Sequence, residues 1–437
     1  MKLFRILITL ALTLTTVICF TPRAWAFCGF YVAKADTQLY NKASQVIIAR
    51  NGERTVLTMA NDYQGDVKDF ALVVPVPVLL EQEQVNVGYP KIIERLDTFS
   101  APRLVEYFDE NPCSPPVSRR LAGGVRAASP QQLRVDRNNA LGVTVEARFS
   151  VGEYDIVILS AKESNGLETW LRENGYRVPR GANRLLKPYI RQNMKFFVAK
   201  VNLEKFDKAG YQFLRPIQIA YESPRFMLPI RLGMINATTE QDLMVYLLSP
   251  QGQTEITNYR TVKVPSDVQI PVFVKEEFGD FYKDMFQTAY EDEGKKVAFL
   301  EYAWNMTGCD PCAAEPLNRE ELKQAGVFWL NPSERFNSVF ITRLHIRYTR
   351  NTFPEDLMFQ ETANRQLFQG RYVLRHPYTE EMDCPAGREY QQSLPEKLEK
   401  EAQTLAKLTK WDIKEIRKKI NLAQGESNSW WERLWSK

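Results

Sequence analysis

From Val143 onward the chain is written in short β-branched or aromatic-rich runs bounded by turn residues, a rhythm that confines it to a sheet-dominated fold. "YDIVILSA", "KFFVAKVNL", "PIQIAY", "FMLPIRLGMI", "LMVYLLS" and "VAFLEYAW" are the clearest of these. The runs follow one another instead of alternating strictly with helices, which predicts an α+β, β-rich fold. Its sheets are expected to be mostly antiparallel, with helices packed on one side and a helical tail at the C-terminus.

Residues 27–110 read as strands followed by one helix. A strand is expected at Thr55 to Ala60 and another at Phe70 to Val78, then a helix opened by Pro90 with Ile92, Ile93, Leu96 and Phe99 on one face. Pro75 and Pro77 cannot donate to a ladder, so the second strand should end at Pro75 or run along a sheet edge. Residues 111–142, dense in Pro, Gly, Ser and Arg, read as an exposed loop whose Arg119, Arg120, Arg126, Arg134 and Arg137 are solvated. The β-rich main body, 143–390, should share one sheet system with the first part. Within it Asn165 with Glu168, and Asn318 with Glu321, have capping-box spacing, and Gly175 should close the helix begun at Asn165. Phe278, Phe281, Tyr282, Met285, Phe286 and Ala289 form a helical core stripe.

Residues 391–437 form a Lys/Glu-rich helical tail. Thr409 and Asp412 are placed to cap a helix ended by Gly425, and Ser429 with Glu432 to cap a last short one. That last helix would carry Trp430, Trp431, Leu434 and Trp435 on one side, suited to peripheral membrane contact, to a partner groove, or to docking on the chain's own body.

The N-terminus has the form of a secretory signal peptide. Lys2 and Arg5 precede an uncharged, largely apolar run from Ile6 to Phe20, and Ala24-Trp25-Ala26 is an A-x-A cleavage signal, so residues 1–26 are expected to be removed after Ala26. The mature protein is expected in the cell envelope or outside it, periplasmic or extracellular, since no later run approaches the roughly 20 apolar residues of a membrane helix. Of the formal charge of +4, three positive charges belong to Lys2, Arg5 and Arg23, which leaves +1 on the mature chain. So balanced a chain lacks the basic face that nucleic acid requires of a partner.

Only His345 and His376 are present, too few for a multi-histidine metal site and sparse material for a Ser-His-Asp relay. His345 lies between Arg343 and Arg347 on the polar side of an alternating strand, which predicts a surface residue of depressed protonation. Cys28, Cys113, Cys309, Cys312 and Cys384 remain after leader removal, an odd set of disulfide candidates in an oxidising compartment. Cys28 and Cys113 flank the first part and are expected to pair, leaving Cys309-Asp310-Pro311-Cys312 to close a short bridge of its own. The same C-x-x-C spacing fits a thiol oxidoreductase, although the nearest helix start lies well beyond it at Asn318. It also fits zinc held with Cys384 and His376, which oxidation on export opposes. The acid pairs Asp62 with Asp66 and Glu276 with Glu277 read as solvated turns or helix starts, not as a glycosidase pair. The sequence has no P-loop, dinucleotide fingerprint, G-x-S-x-G elbow or H-E-x-x-H.

Several motifs occur in order: "CGFYVAKAD", "NDYQGDVKDFALVVPVPV", "APRLVEYF", "GEYDIVILSAKESNGLETWLRENGYRVP", "KPYIRQNMKFFVAKVN" and "YESPRFMLPIRLGMINA". Together they resemble the exported bacterial proteins grouped as domain of unknown function 2330, from Cys28 to about Ala237 and more loosely through "FLEYAWNMTGCDPC". The tail after Tyr390 stands outside the pattern. The resemblance brings no assigned activity, cofactor or site residue. The reading is an exported envelope protein that binds a ligand or protein partner without catalysis. The competing class is an envelope enzyme, either an oxidoreductase using Cys309 and Cys312 or a carboxylate-based hydrolase.

Overall fold

The computed structural model of the protein describes residues 30–32, 40–41, 44–60, 63–64, 71–114, 143–174, 178, 181–209, 214–235, 240–307, 315–331 and 338–427. Its first part contains β1 (Phe30–Val32), β2 (Tyr40–Asn41), β3 (Ser44–Asn51), β4 (Arg54–Met59), β5 (Tyr63–Gln64), β6 (Ala71–Val76), β7 (Val85–Val87), α1 (Pro90–Ser100) and β8 (Arg103–Phe108). Then come β9 (Val143–Val151), β10 (Tyr154–Ala161), α2 (Ser164–Glu173), α3 (Ala182–Arg191), β11 (Lys195–Val201), α4 (Leu203–Ala209), β12 (Ile217–Glu222) and β13 (Met227–Leu228). They are followed by β14 (Gln241–Ser249), β15 (Thr254–Ile256), β16 (Arg260–Lys263), β17 (Val268–Ile270), α5 (Phe278–Asp292), β18 (Val297–Asn305), α6 (Arg319–Gln324) and β19 (Phe340–Tyr348). The last described elements are β20 (Leu357–Glu361), β21 (Phe368–Gln369), β22 (Arg371–His376), α7 (Pro385–Thr409) and α8 (Ile413–Ser427).

Side-chain alternation along these strands stacks two sheets against each other. The larger has the order β16-β18-β19-β14-β3-β4-β12-β7, with β21 also on β18, and the smaller β1-β6-β11-β10-β9. Val46 and Ile48 of β3 and Leu243, Val245 and Leu247 of β14 meet Leu72 and Val74 of β6 and Phe197 and Ala199 of β11 in the core between the sheets. The intervening residues point outward. Ile47, Ala49, Tyr246 and Leu248 pack under α1 and α6, while Val73, Phe196 and Val198 pack under α2 and α3. Most strand pairs are antiparallel, giving the expected α+β class, and helices cover the outer face of each sheet. Both sheets draw strands from before and after residues 111–142. Among the described residues β1 pairs with β6 only at residues 71–73, so no described strand lies beside Pro75 on the side away from β11.

Three local expectations shift. Asn165 does not cap α2, which starts at Ser164 after Glu163 without a side-chain cap; Asn165 instead accepts from Asn183 of α3, and Glu168 pairs with Arg172. Thr409 closes α7 by donating back to the Leu405 carbonyl, leaving Asp412 alone to accept from Lys414 N at 2.8 Å. Gly425 does not end α8, which runs to Ser427. The Asn318–Glu321 capping box forms in full. Gly175, Ser429, Glu432 and the tryptophan cluster lie outside the described residues.

The C-terminal helices are docked. Ala402 and Leu405 of α7 and Ile416 and Ile420 of α8 join Phe281, Met285 and Phe286 of α5, Val297 and Phe299 of β18, and Tyr372 of β22 in one buried cluster. Truncating a buried leucine costs the lost transfer energy plus the cavity, about 2–5 kcal/mol. Leu405→Ala should therefore lower the unfolding free energy of the whole protein by that amount in urea denaturation, and removal of Pro395 to Lys437 should lower its melting temperature further. Unchanged melting of the truncated protein would show that the body does not need this cover.

Candidate functional site

The strongest concentration of chemistry lies on the outer face of the large sheet, at the seam between its two helical covers. Alternation on β19 puts Arg343, His345 and Arg347 on that face, opposite Tyr246, Met244 and Asp242 of β14. On the other side of β19 the register of β18 slips between Leu300 and Tyr302, so that Glu301 is the extra residue of a bulge. Alternation with Phe299 keeps Glu301 in the same layer, where it is completely buried, and the bulge brings Tyr302 to that face next to it.

The groups there engage one another closely. Arg343 Nε donates to Glu301 Oε2 at 2.6 Å and its Nη1 to Asp97 Oδ1 of α1 at 2.7 Å. His345 faces Glu301 Oε1 through Nδ1 at 2.9 Å and Asp242 Oδ1 through Nε2 at 3.1 Å. Tyr282 of α5 donates to Glu301, Arg347 grips Asp242 with Nε and Nη2 at 2.8 and 2.9 Å, and Phe286 stacks on His345 at 3.8 Å. An imidazole flanked by two carboxylates offers both nitrogens as donors only when doubly protonated.

The protonation states follow from this geometry. Burial raises the Glu301 carboxyl, but Arg343 and His345 overcome it and hold the group at about 2, well below its ordinary 4.5. Asp242 is likewise raised by burial and brought far below its ordinary value by His345 and Arg347. Burial lowers His345, yet Glu301 and Asp242 prevail and raise it above 6.5. The surface histidine of depressed protonation expected from its neighbours is thus a buried imidazolium. The polar side of β19 faces α1 and α5 rather than water, and the acids that reverse its charge balance come from β14 and β18.

A raised histidine pKa stabilises the fold fully below about pH 6.5 and ceases to do so as pH rises through the folded value. The stability difference between wild type and His345→Gln, measured by urea denaturation from about pH 6 to about pH 9, should narrow with rising pH. A constant difference would show that His345 is neutral in the fold.

The cysteines resolve differently from the expectation. Cys113 is bonded to Cys384, with Cα atoms 5.9 Å apart, and does not pair with Cys28. The reason is topological. β8 and β22 lie side by side and parallel, Phe108 beside His376, so the chain leaves both strands at the same end and brings Cys113 to the start of α7. Gly387 lets that turn approach, since a Cβ there would stand 2.5 Å from the Met382 Cβ. A half-cystine supplies no thiolate, which removes Cys384 from the zinc set. Cys28, Cys309 and Cys312 lie outside the described residues, as do Asp62, Asp66 and the arginines of 115–142. His376 bonds Glu106 at 2.8 Å, while Glu277 is held by Lys419, apart from exposed Glu276. Loop closure across a sequence separation of 271 contributes about 5–6 kcal/mol in the chain-entropy model before strain is subtracted. Mapping of unreduced protein should recover the Cys113–Cys384 peptide pair, and Cys384→Ser should lower stability by several kcal/mol; a free Cys113 thiol would contradict the pairing.

A second place is open instead of closed. Where the chain leaves β15 and enters β16, a cavity of about 440 Å3 opens over Ile256 and Leu300, with Glu255, Tyr259, Thr261 and Lys263 around it. Sequence reading missed Glu301 and Asp242 as well as these residues. The one available signal was a lone acid in the apolar run "VAFLEYAW". Among the described residues no helix is long and apolar enough to cross a membrane, and no group of three or more His, Cys, Asp or Glu is arranged to hold a metal ion.

No curated protein and no solved structure matches the chain. Residues 22–360 match the family described as "Uncharacterized protein conserved in bacteria (DUF2330)", and the protein belongs to that family.

Proposed function

We propose that the protein acts outside the cytoplasm as a non-enzymatic binding module whose ligand enters the crevice between β15 and β16. The observation that carries the reading is the crevice itself. Its volume of about 440 Å3 falls within the range of small-ligand pockets, about 300–1,000 Å3, and it combines an apolar floor with a few hydrogen-bonding and charged groups. The reactive groups of the core, by contrast, are engaged with one another: both nitrogens of His345 face carboxylates, and both oxygens of Glu301 accept from protein donors. Export is supported by the leader-like N-terminus and by the Cys113–Cys384 bond, which suits an oxidising compartment.

The test uses the mature protein recovered from the envelope fraction, whose first residue should be Phe27. Methyl-labelled protein is titrated with a library of small polar fragments, watching the Ile256 and Leu300 methyl signals. Binders should move those signals in wild type and fail to do so in Thr261→Trp, a variant checked for unchanged melting. Fragments that leave both methyls unmoved, or a protein retained in the cytoplasm with Met1 intact, would overturn the proposal.

A further inference from the structure

The crevice is bounded by two sheet edges. β16 is the terminal strand of the large sheet, bonded to β18 alone, and β15 the terminal strand of the β13-β20-β15 sheet, bonded to β20 alone. Neither has a second strand neighbour among the described residues. The corner joining them is fixed: Thr257 N donates to the Met358 carbonyl at 2.8 Å, and the Tyr259 hydroxyl both donates to the Glu355 carbonyl at 3.0 Å and accepts from Glu355 N at 2.8 Å. The two edges therefore meet at a hydrogen-bonded corner, and residues of both line the cavity.

The walls carry opposite charges. Lys263 on β16 reaches over the Phe368 ring, its Nζ 4.9 Å from the ring centre, and has no carboxylate partner among the described residues. Glu255 on β15 has no cationic partner there either, whereas the neighbouring Arg260 is paired with Glu293. Register places Thr261 and Lys263 beside Ala298 and Leu300, on the face that lies over the inter-sheet core. Among the described residues the Thr261 hydroxyl oxygen is buried without a hydrogen-bond partner. A cation, an anion and two strand edges border one apolar floor.

We propose that the crevice takes a short extended peptide, which adds as a strand along β16 and sets a carboxylate against Lys263 and a cationic group against Glu255. Backbone pairing at an open edge provides affinity without regard to sequence, and the side-chain contacts of alternate residues then select. The opposed charges favour a peptide carrying both signs over one that is wholly acidic, basic or apolar, because a single-sign ligand leaves one wall charge facing its like. This rests on the reading of the crevice as the ligand site and deepens it.

The experiment titrates methyl-labelled full-length mature protein with capped pentapeptides of alternating Val and Thr that carry one Lys and one Glu, in both orders. Three controls accompany them: the same peptides with Gln in place of both charges, with alternate amides N-methylated, and with Glu in place of Lys. The doubly charged peptide should move the Ile256 and Leu300 methyls. The Gln peptide should bind about tenfold or more weakly, and the N-methylated one should not bind. Lys263→Glu and Glu255→Lys, both at solvent-reachable positions, should each weaken the charged peptide about tenfold, and the double exchange should restore it. Peptide binding that ignores N-methylation or both charge reversals overturns the inference. If fragments move the two methyls while no peptide does, the peptide assignment fails and the crevice stands as a ligand site; if nothing moves them, both fail.

Discussion

Glu301 is the point on which the outer half of the structure is assembled. A carboxylate with no solvent exposure costs several kcal/mol to desolvate, and only donors brought from different parts of the chain offset that cost. Arg343 and His345 come from the neighbouring strand, and Tyr282 from α5. Through Arg343 the same ion reaches Asp97 of α1, so one side chain fixes two helices from separate covering groups to one sheet. Alternation with Phe299 already sets Glu301 on this face, and the bulge in β18 adds Tyr302 beside it, opposite Arg343. Three cationic side chains (Arg343, His345, Arg347) then face three acidic ones (Glu301, Asp242, Asp97). The layer is close to neutral only while His345 keeps its second proton.

The parallel pairing of β8 with β22 has a similar reach at the other end of the molecule. It carries two distant stretches of chain out in the same direction, and the Cys113–Cys384 bond forms where they emerge. Asp109, just after β8, is held from both sides, accepting from Arg375 Nη1 at 2.9 Å and from the Tyr390 hydroxyl of α7 at 2.6 Å. Glu401 on the same helix is pushed up to about 7, by its burial first and then by Asp109. The family match ends at residue 360, within β20, so β22, α7, α8 and one half of the disulfide lie beyond it. These elements nonetheless close a core cluster whose other members lie within the matched span.

The crevice exists because the chain changes sheets between Ile256 and Arg260. Edge strands invite indiscriminate pairing, and charged side chains at an edge oppose it. Glu255, Arg260 and Lys263 have that effect on β15 and β16. The preference proposed for a ligand of both signs would follow from the same physics, since a charge that repels most strands attracts the complementary one.

The local elements were legible in short stretches of residues. Hydrophobic alternation marked β4, β10, β11 and β19; the proline start and apolar face of α1 and the aromatic stripe of α5 were readable from periodicity, and the Asn318–Glu321 box from spacing, because these signals depend on residues within a few positions of one another. What each polar face meets depends on the packing of distant elements. The Arg343, His345 and Arg347 face looks solvent-facing when read along one strand, and becomes a buried ionic layer because α1, α5, β14 and β18 converge on it. Cys113 found Cys384 rather than Cys28 because a parallel strand pair, not proximity in the chain, set their meeting. The crevice is legible in no single segment: it lies between two sheet edges, and sheet edges are properties of strand order, which long-range pairing fixes and local pattern does not.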